Sequence, residues 1–478
     1  MRVRGIGAMR AHKGFVGGMA MGDLASHEES GTQHPDAARS SPARPRVAVI
    51  ATVHWPATTR LCLEMADGGM EVRALVPDDH ALFKMCTVTV ERLGRTRNEA
   101  LRTISRTVER YAPDLLVPAD EAAIDLLRTL YERALRGRGT RPDRTAKLVE
   151  ASMGAPSSFV FARKKSLFVS LARDEGMSVP KTEVVRDLGQ LQAYMATARF
   201  PLVIKRDETS GGEGVRIVAN EADARRTFLD LQASSGRVFA MRQAVRKLDL
   251  AYLQRLCRPR PSITVQDYIE GRPANRAVVC DRGQVLAGLS VEVLQTSQST
   301  GPATVVRVID SPEMANAAEH VVRRLGLSGF VGFDFMLETA SGRAYLIEMN
   351  QRPTQICHLA LNASSDQIGA LAAALSAAVR RRAMPNIGSH TIALFPQESW
   401  RDPASGFLQS AHHDVPWQEP EFIAAYRQPV APEPLTWVQI VRRAVRDPRQ
   451  LFLRKVLPAE IEPAAPPKAL RGKDAIHV

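Results

Sequence analysis

The sequence predicts a parallel α/β unit followed by an α+β unit. Three observations carry this. Short apolar runs at 47–52 (VAVIAT), 72–76 and 114–117 (DLLV) alternate with helical spacing at 58–67 and 121–135. Strands buried on both faces read as continuous apolar runs, and their alternation with helices implies a parallel sheet. From about residue 159 the pattern changes to runs of strands with helices set apart, the mark of α+β. Finally, the 478 residues are 45% hydrophobic and 24% charged, an ordinary globular composition. At about 100–200 residues per domain, that length holds two to four units.

Taken in order, residues 1–45 are rich in Gly, Ser, Ala and Met without an apolar period, so a disordered N-terminal extension is expected. Its basic start lacks a continuous apolar stretch and does not read as a signal peptide. The α/β unit spans 46–154, its first helix closed by Gly68 and Gly69. It has no GxGxxG, so nothing in it specifies a dinucleotide. The α+β unit spans 155–385. Helices are expected at 164–175, 221–232, 312–325 and 366–382. Strands are expected at 201–206, 215–218, 263–269, 276–280, 284–292, 329–337 and 344–350. The remainder, 386–478, is a C-terminal extension containing a basic amphipathic segment within 434–456. Trp437, Val438, Ile440, Val441, Ala444 and Val445 form its apolar face, opposite Arg442, Arg443, Arg446 and Arg449. That face suits packing on the protein's own domain, the favoured reading, or contact with a membrane surface or partner helix.

Composition excludes several classes. No stretch reaches the roughly 18 uncharged apolar residues of a membrane span. Five scattered cysteines form no CxxC, which excludes a zinc knuckle or disulfide framework and fits a reducing, cytoplasmic compartment. Net charge is +13, yet aromatics make up only 5%. Without aromatics among the arginines there is no stacking platform for bases, and no specific nucleic-acid partner is expected. Only 11 of the 64 basic residues are lysine. Where lysine does stand, a compact point charge is called for.

Three segments carry chemistry. In PLVIKRDETSGGEGVRIV (201–218) a β-run delivers Lys205 to a glycine-rich loop containing Ser210, Gly211, Gly212 and Gly214. Glycines let backbone N–H groups approach an anion, and a strand-end lysine reaches a phosphate as a point charge. In GFVGFDFMLETASGRAYLIEMNQR (329–352), alternation places Glu348 and Asn350 on one face, with Arg352 continuing the row. Ile347 and Met349 then point the other way. A tight hairpin brings Asp334 beside Glu348, a hard-oxygen set for Mg²⁺ with phosphates completing the shell. In VQDYIEGRPAN (265–275), Gln266, Asp267, Tyr268 and Ile269 end an apolar strand whose backbone groups can read an adenine edge.

The lysine strand, glycine loop, YIxG-type strand end and D-x₁₃-E-x-N-x-R occur in that order. Jointly they resemble the ATP-grasp superfamily over about 46–385, closest to its carbamoyl-phosphate-synthase-like, carboxylate–amine ligase members. The segment KKSLFVSLARDEGMSVPKT adds to the likeness, since Lys165 precedes Pro180 by fifteen residues. Lys164 beside it leaves the choice between the two lysines open. The resemblance implies a pre-ATP-grasp α/β domain at 46–154 and an ATP-grasp domain at 155–385 whose two α+β lobes clamp ATP. It further implies that Lys165 and Lys205 contact phosphates and that Ser210, Gly211, Gly212 and Gly214 close over them. Gln266, Asp267, Tyr268 and Ile269 would line the adenine pocket. Asp334, Glu348 and Asn350 would hold Mg²⁺, with Mn²⁺ as an alternative. Arg352 and Lys205 would be the catalytic charges.

The sequence also departs from the family pattern: Arg206 follows the lysine, Pro273 stands where a ribose-binding acid is common, and Gln266 replaces a glutamate. The implied activity is activation of a carboxylate as an acyl-phosphate for attack by an amine or other nucleophile, releasing ADP and phosphate. The implied partners are a small-molecule carboxylate and an amine-type acceptor. Arg307 and His358 flank the site in sequence and are candidates for substrate contact. The alternative reading is an ATP-binding regulatory or scaffold module without ligase turnover.

Overall fold

The computed structural model describes residues 44–138, 142–161, 164–207, 214–234, 262–298, 301–376 and 389–427. The N-terminal extension up to 43, the loop residues Ser210, Gly211 and Gly212, and the basic segment at 434–456 lie outside the described residues.

The first sheet has the order β3-β2-β1-β4 and is parallel throughout. Its strands are β1 (Arg46–Ile50), β2 (Glu71–Val76), β3 (Thr89–Arg92) and β4 (Leu115–Pro118). Around it lie α1 (Pro56–Asp67), α2 (Arg97–Arg110), α3 (Glu121–Leu135) and α4 (Pro142–Met153). Successive β1 residues enter different cores. Val47 and Val49 pack with α1, while Ala48 and Ile50 pack with α2, α3 and α4. This two-sided burial is why β1 reads as an unbroken apolar run. The strand β3 and helices α2 and α4 were not expected. Four arginines dilute the apolar period of α2, but its start carries a capping box. Thr96 Oγ1 accepts from Glu99 N, and the Glu99 side chain accepts from Thr96 N.

The chain then enters α5 (Lys165–Asp174) and a four-stranded antiparallel sheet of order β5-β8-β6-β7. Its strands are β5 (Thr182–Val185), β6 (Leu202–Arg206), β7 (Val215–Val218) and β8 (Ile263–Asp267). Helices α6 (Leu188–Met195) and α7 (Glu221–Ser234) cover one face, where Leu191, Ile204, Phe228 and Val265 form a small core.

The third sheet is the largest, of order β13-β12-β9-β10-β11-β14-β15. Its strands are β9 (Gly271–Asp281), β10 (Gln284–Thr296), β11 (Ala303–Val308), β12 (Gly329–Glu338), β13 (Ala344–Asn350), β14 (Thr391–Leu394) and β15 (His412–Asp414). One face packs on α5 and α8 (Pro312–Leu325) through Phe168, Val322, Phe333 and Leu346. The other face shares a core with β1 and α1, where Val279, Leu289 and Val291 join Val47 and Leu61. Helix α9 (Gln367–Leu375) joins that core through Ile368 and Leu371.

The described part of the C-terminal extension beyond 385 adds to the third sheet. β14 pairs antiparallel with β11, and β15 extends the same sheet in parallel. Short helices α10 (Gln397–Arg401), α11 (Phe407–Ser410) and α12 (Pro420–Tyr426) complete the described residues, with Phe422 and Tyr426 in the shared core. Gly154 marks the passage out of the first unit. Its φ of +92° suits glycine, and a Cβ there would overlap the Gly326 carbonyl. That close approach forms a bridge to Leu327 at the end of α8. No helix among the described residues is long and apolar enough to cross a membrane.

Candidate active site

A cleft opens between the second and third sheets. Lys165, Ser166 and Val169 line it from α5, and Lys205, Thr264 and Gln266 from β6 and β8. Thr182 and Ile347 complete it. The expectation that Ile347 faces away with Met349 fails because of a β-bulge. Asp334 lies opposite Glu348, but Phe335 lies opposite Leu346, so Ile347 is the extra residue. It therefore joins Glu348 on the cleft side, while Leu346 and Met349 stay in the core.

The cleft holds charge of both signs. Lys165 Nζ lies 2.8 Å from Glu348 Oε1. Its neighbour Lys164 is exposed at the helix start, so the register of α5 turns Lys165, not Lys164, inward. Desolvation holds the Lys205 ammonium down to about 8, and nearby Lys165 adds repulsion, while Glu348 and Asp334 oppose the shift. Asp207 fixes this arrangement. Its carboxylate accepts from Ser166 N at 3.3 Å and Ser166 Oγ at 2.8 Å, and so caps the start of α5. Asp207 N donates to Ser262 O, so one residue ties β6, β8 and α5 together.

On the facing strands, Asp334 receives Asn350 Nδ2 at 2.8 Å on Oδ2 and Asn275 Nδ2 at 2.7 Å on Oδ1. Desolvation and then Glu348 push its carboxyl upward from the ordinary value. The Asn275 hydrogen bond, Arg352 and Lys165 oppose that rise. Arg352 lies two residues past β13 and ion-pairs with Glu121 at the start of α3, Nη2 to Oε1 at 2.7 Å. Burial disfavours its charge, but Glu121, Asp334 and Glu348 together hold the guanidinium ionised.

The four residues expected at the adenine pocket divide. The Gln266 side chain lines the cleft and donates to Thr182 Oγ1 at 2.7 Å. The Asp267 carboxylate turns to Tyr194, whose hydroxyl donates to it at 2.6 Å. Tyr268 is exposed, and Tyr268 and Ile269 link β8 to β9. Gly214 closes the β6–β7 hairpin, its carbonyl accepting from Arg206 N at 3.0 Å. Both flanking candidates are engaged by other partners. Arg307 ion-pairs with Glu292, and His358 is 7% exposed and bonded to Asp414 at 2.6 Å.

Sequence reasoning missed Asn275, Asp207 and Glu121. Asp207 stands two residues after Lys205, a readable signal. Asn275 and Glu121 reach the site only through sheet register and chain packing.

The oxygen set of Asp334, Glu348 and Asn350 suits a hard divalent cation. Two carboxylates and one amide cannot fill such a shell alone, and phosphate oxygens would complete it. Among the described residues no cluster of three or more His, Cys, Asp or Glu forms a self-sufficient metal site. Asp334 itself fits the group, because its direct hydrogen-bond partners are neutral amides.

An α/β unit followed by two mainly antiparallel sheets, facing each other across lysines and carboxylates, defines a two-lobed clamp. Residues 162–355 match the family model of the ATP-grasp domain, and this chain carries an ATP-grasp domain there. Solved structures with similar folds include the biotin carboxylase domain of Hydrogenobacter thermophilus 2-oxoglutarate carboxylase, in complex with MgADP, ADP and bicarbonate. It is 15% identical, with a TM-score of 0.48 and 71% of each chain covered. The L-amino acid ligase from Bacillus licheniformis is 16% identical (TM-score 0.48), covering 70% of this chain and 75% of that one. N5-carboxyaminoimidazole synthetase from Staphylococcus aureus is 11% identical (TM-score 0.48), covering 72% and 80%.

Proposed function

We propose that the protein is an ATP- and Mg²⁺-dependent ligase. It activates a carboxylate as an acyl-phosphate, which an amine or other nucleophile then attacks, with release of ADP and phosphate. The observation that supports this is the convergence of Lys165, Lys205, Asp334, Glu348, Asn350 and Arg352 on one cleft of an ATP-grasp domain.

The chemistry follows from charge. A carboxylate is a poor electrophile, and phosphorylation turns its oxygen into a leaving group. Phosphoryl transfer needs positioning and charge neutralisation more than a dedicated base. Lys165 and Lys205 bind phosphate oxygens from the α5 and β6 side. A nucleotide entering the cleft breaks the Lys165–Glu348 pair and frees both partners for it. Mg²⁺ on Asp334, Glu348 and Asn350 would draw charge from the phosphoryl oxygens. Arg352 stays cationic at every working pH and faces the charge that develops on the transferred group. Gln266, Thr182 and Ile347 provide a polar edge and an apolar wall for the base. Glu121 holds Arg352 from the first unit, so the acceptor's approach is set partly by that unit.

The test is ADP release with Mg·ATP across a panel of carboxylates and amines, compared with Glu348→Ala. Acceptor-dependent release in wild type alone supports the ligase. Mg·ATP binding without ADP release under any pair of acceptors would replace it with a regulatory module.

A further inference from the structure

We propose that Asn275 is a positioning residue that fixes the Asp334 carboxylate for a divalent cation, and that Thr354 and Gly332 set its amide. This rests on the metal-nucleotide reading of the cleft above. Asn275 sits on β9 directly across from Asp334 on β12, so the two side chains share the cleft face. Its Nδ2 donates to Asp334 Oδ1 at 2.7 Å and to the Phe333 carbonyl at 3.2 Å. Its Oδ1 accepts from Thr354 Oγ1 at 3.3 Å. An amide with a donor below its oxygen and an acceptor before its nitrogen has one good orientation.

Thr354 is itself held. Its backbone N–H donates to Cys357 Sγ at 3.1 Å. Its Cγ2 occupies the space a side chain at residue 332 would need, since a Cβ on Gly332 would overlap it. Gly332, Thr354, Asn275 and Asp334 thus form a line of contacts from sheet backbone to carboxylate.

The second amide on Asp334 belongs to Asn350, which the proposed function makes a metal ligand. Its side chain must then serve the cation through Oδ1 and Asp334 through Nδ2 at once. Asn275 has no such second duty, so its hydrogen bond persists when a cation arrives. Hydrogen bonds from neighbouring groups that orient a ligating carboxylate typically govern metal affinity by about 10–100-fold.

The experiment titrates Mg²⁺ against the melting temperature of the full chain at fixed ADP. Wild type is compared with Asn275→Ala, Thr354→Val and Thr354→Ser. ADP affinity without Mg²⁺ and the unliganded melting temperature are measured alongside. The Mg²⁺ concentration at half effect should rise about tenfold in Asn275→Ala and by a smaller factor in Thr354→Val. Thr354→Ser should behave as wild type, because it keeps the hydroxyl. Metal-free ADP affinity should not change. If the variants lower the unliganded melting temperature yet share the wild-type Mg²⁺ half-point, Asn275 is structural only and the inference falls. If Asn275→Ala does not fold, the contrast between Thr354→Val and Thr354→Ser decides by the same criterion. If wild type shows no Mg²⁺ dependence, the metal-nucleotide reading falls and takes this inference with it.

Discussion

Asp334 is a half-buried carboxylate and Asp414 a buried one, and their surroundings push them in opposite directions. Asp414 is 4% exposed and meets a guanidinium and an imidazole ring. His358 Nε2 lies 2.6 Å from Oδ2, and Arg60 Nη2 lies 3.1 Å from Oδ1. Burial raises its carboxyl, but His358 and Arg60 outweigh that and hold it below its ordinary value. Asp334 touches neutral amides, faces Glu348, and is held above its ordinary value, burial being the first cause. The first site is neutralised from within and ties three parts of the chain together. The second has only neutral amides as direct hydrogen-bond partners and suits a cation from outside. A buried carboxylate is thus informative about function through the charge of its partners.

The largest expected effect of breaking this contrast is at Glu348. Glu348→Ala removes a proposed metal ligand and the Lys165 partner, and should lower acceptor-dependent ADP release by about 100-fold or more. Asp334→Asn should lose turnover similarly. Yet its unliganded form should melt above wild type at pH 8, because it removes a carboxylate whose charged form burial and Glu348 disfavour. His358→Ala leaves Asp414 short of a partner and should cost roughly 3–5 kcal/mol of stability by denaturant titration. Its Mg²⁺ half-point should stay at the wild-type value.

The acid limb follows from the sign of the Asp414 shift. A carboxyl depressed in the fold contributes stability that is present above its unfolded pKa, near 4, and lost as pH falls through the folded value. Asp414→Asn should therefore be less stable than wild type at pH 6, with the gap narrowing below about pH 4.

Lys205 yields a smaller, calorimetric effect. Its lowered value of about 8 leaves much of it neutral at pH 9. Bound phosphate favours the charged form, so Mg·ADP binding at pH 9 should take up protons. Titrations in buffers of different ionisation enthalpy should show this in wild type and lose it in Lys205→Met. The smallest expected effect is at Arg307, whose side chain is 45% exposed in its pair with Glu292. Arg307→Ala should change stability by about 1 kcal/mol or less and leave Mg·ATP binding unaltered.

Several elements of the fold and the hairpin of the site were legible in the sequence, and the illegible parts have physical causes. The helix at 121–135, the helix at 312–325 and the strand at 344–350 emerge with the expected bounds. Strong local signals explain them: Asp120 caps α3, and α8 starts with Ser311–Pro312 and ends with left-handed Gly326. The spacing of Asp334, Glu348 and Asn350 placed them together because a hairpin is a local object. The bulge that turns Ile347 into the cleft adds one residue to one strand and leaves no trace in the alternation of letters. Asn275 lies 59 residues from Asp334, and only sheet register joins them. β14 and β15 are short strands added at the edge of a sheet built earlier in the chain, so their partners set them. His358 looked available beside Arg352 in sequence, but a partner 56 residues away buries it.

The most direct test of the central claim is the melting temperature of wild type, Glu348→Ala and Lys205→Ala with and without Mg·ATP. At 100 times Kd, binding adds about 2.7 kcal/mol to stability. A magnesium-dependent rise in wild type, lost in both variants, is the result predicted by a nucleotide held between Lys165 of α5, Lys205 of β6 and the carboxylates of β12 and β13. A folded wild type that ignores Mg·ATP, or variants that respond as wild type does, would contradict it.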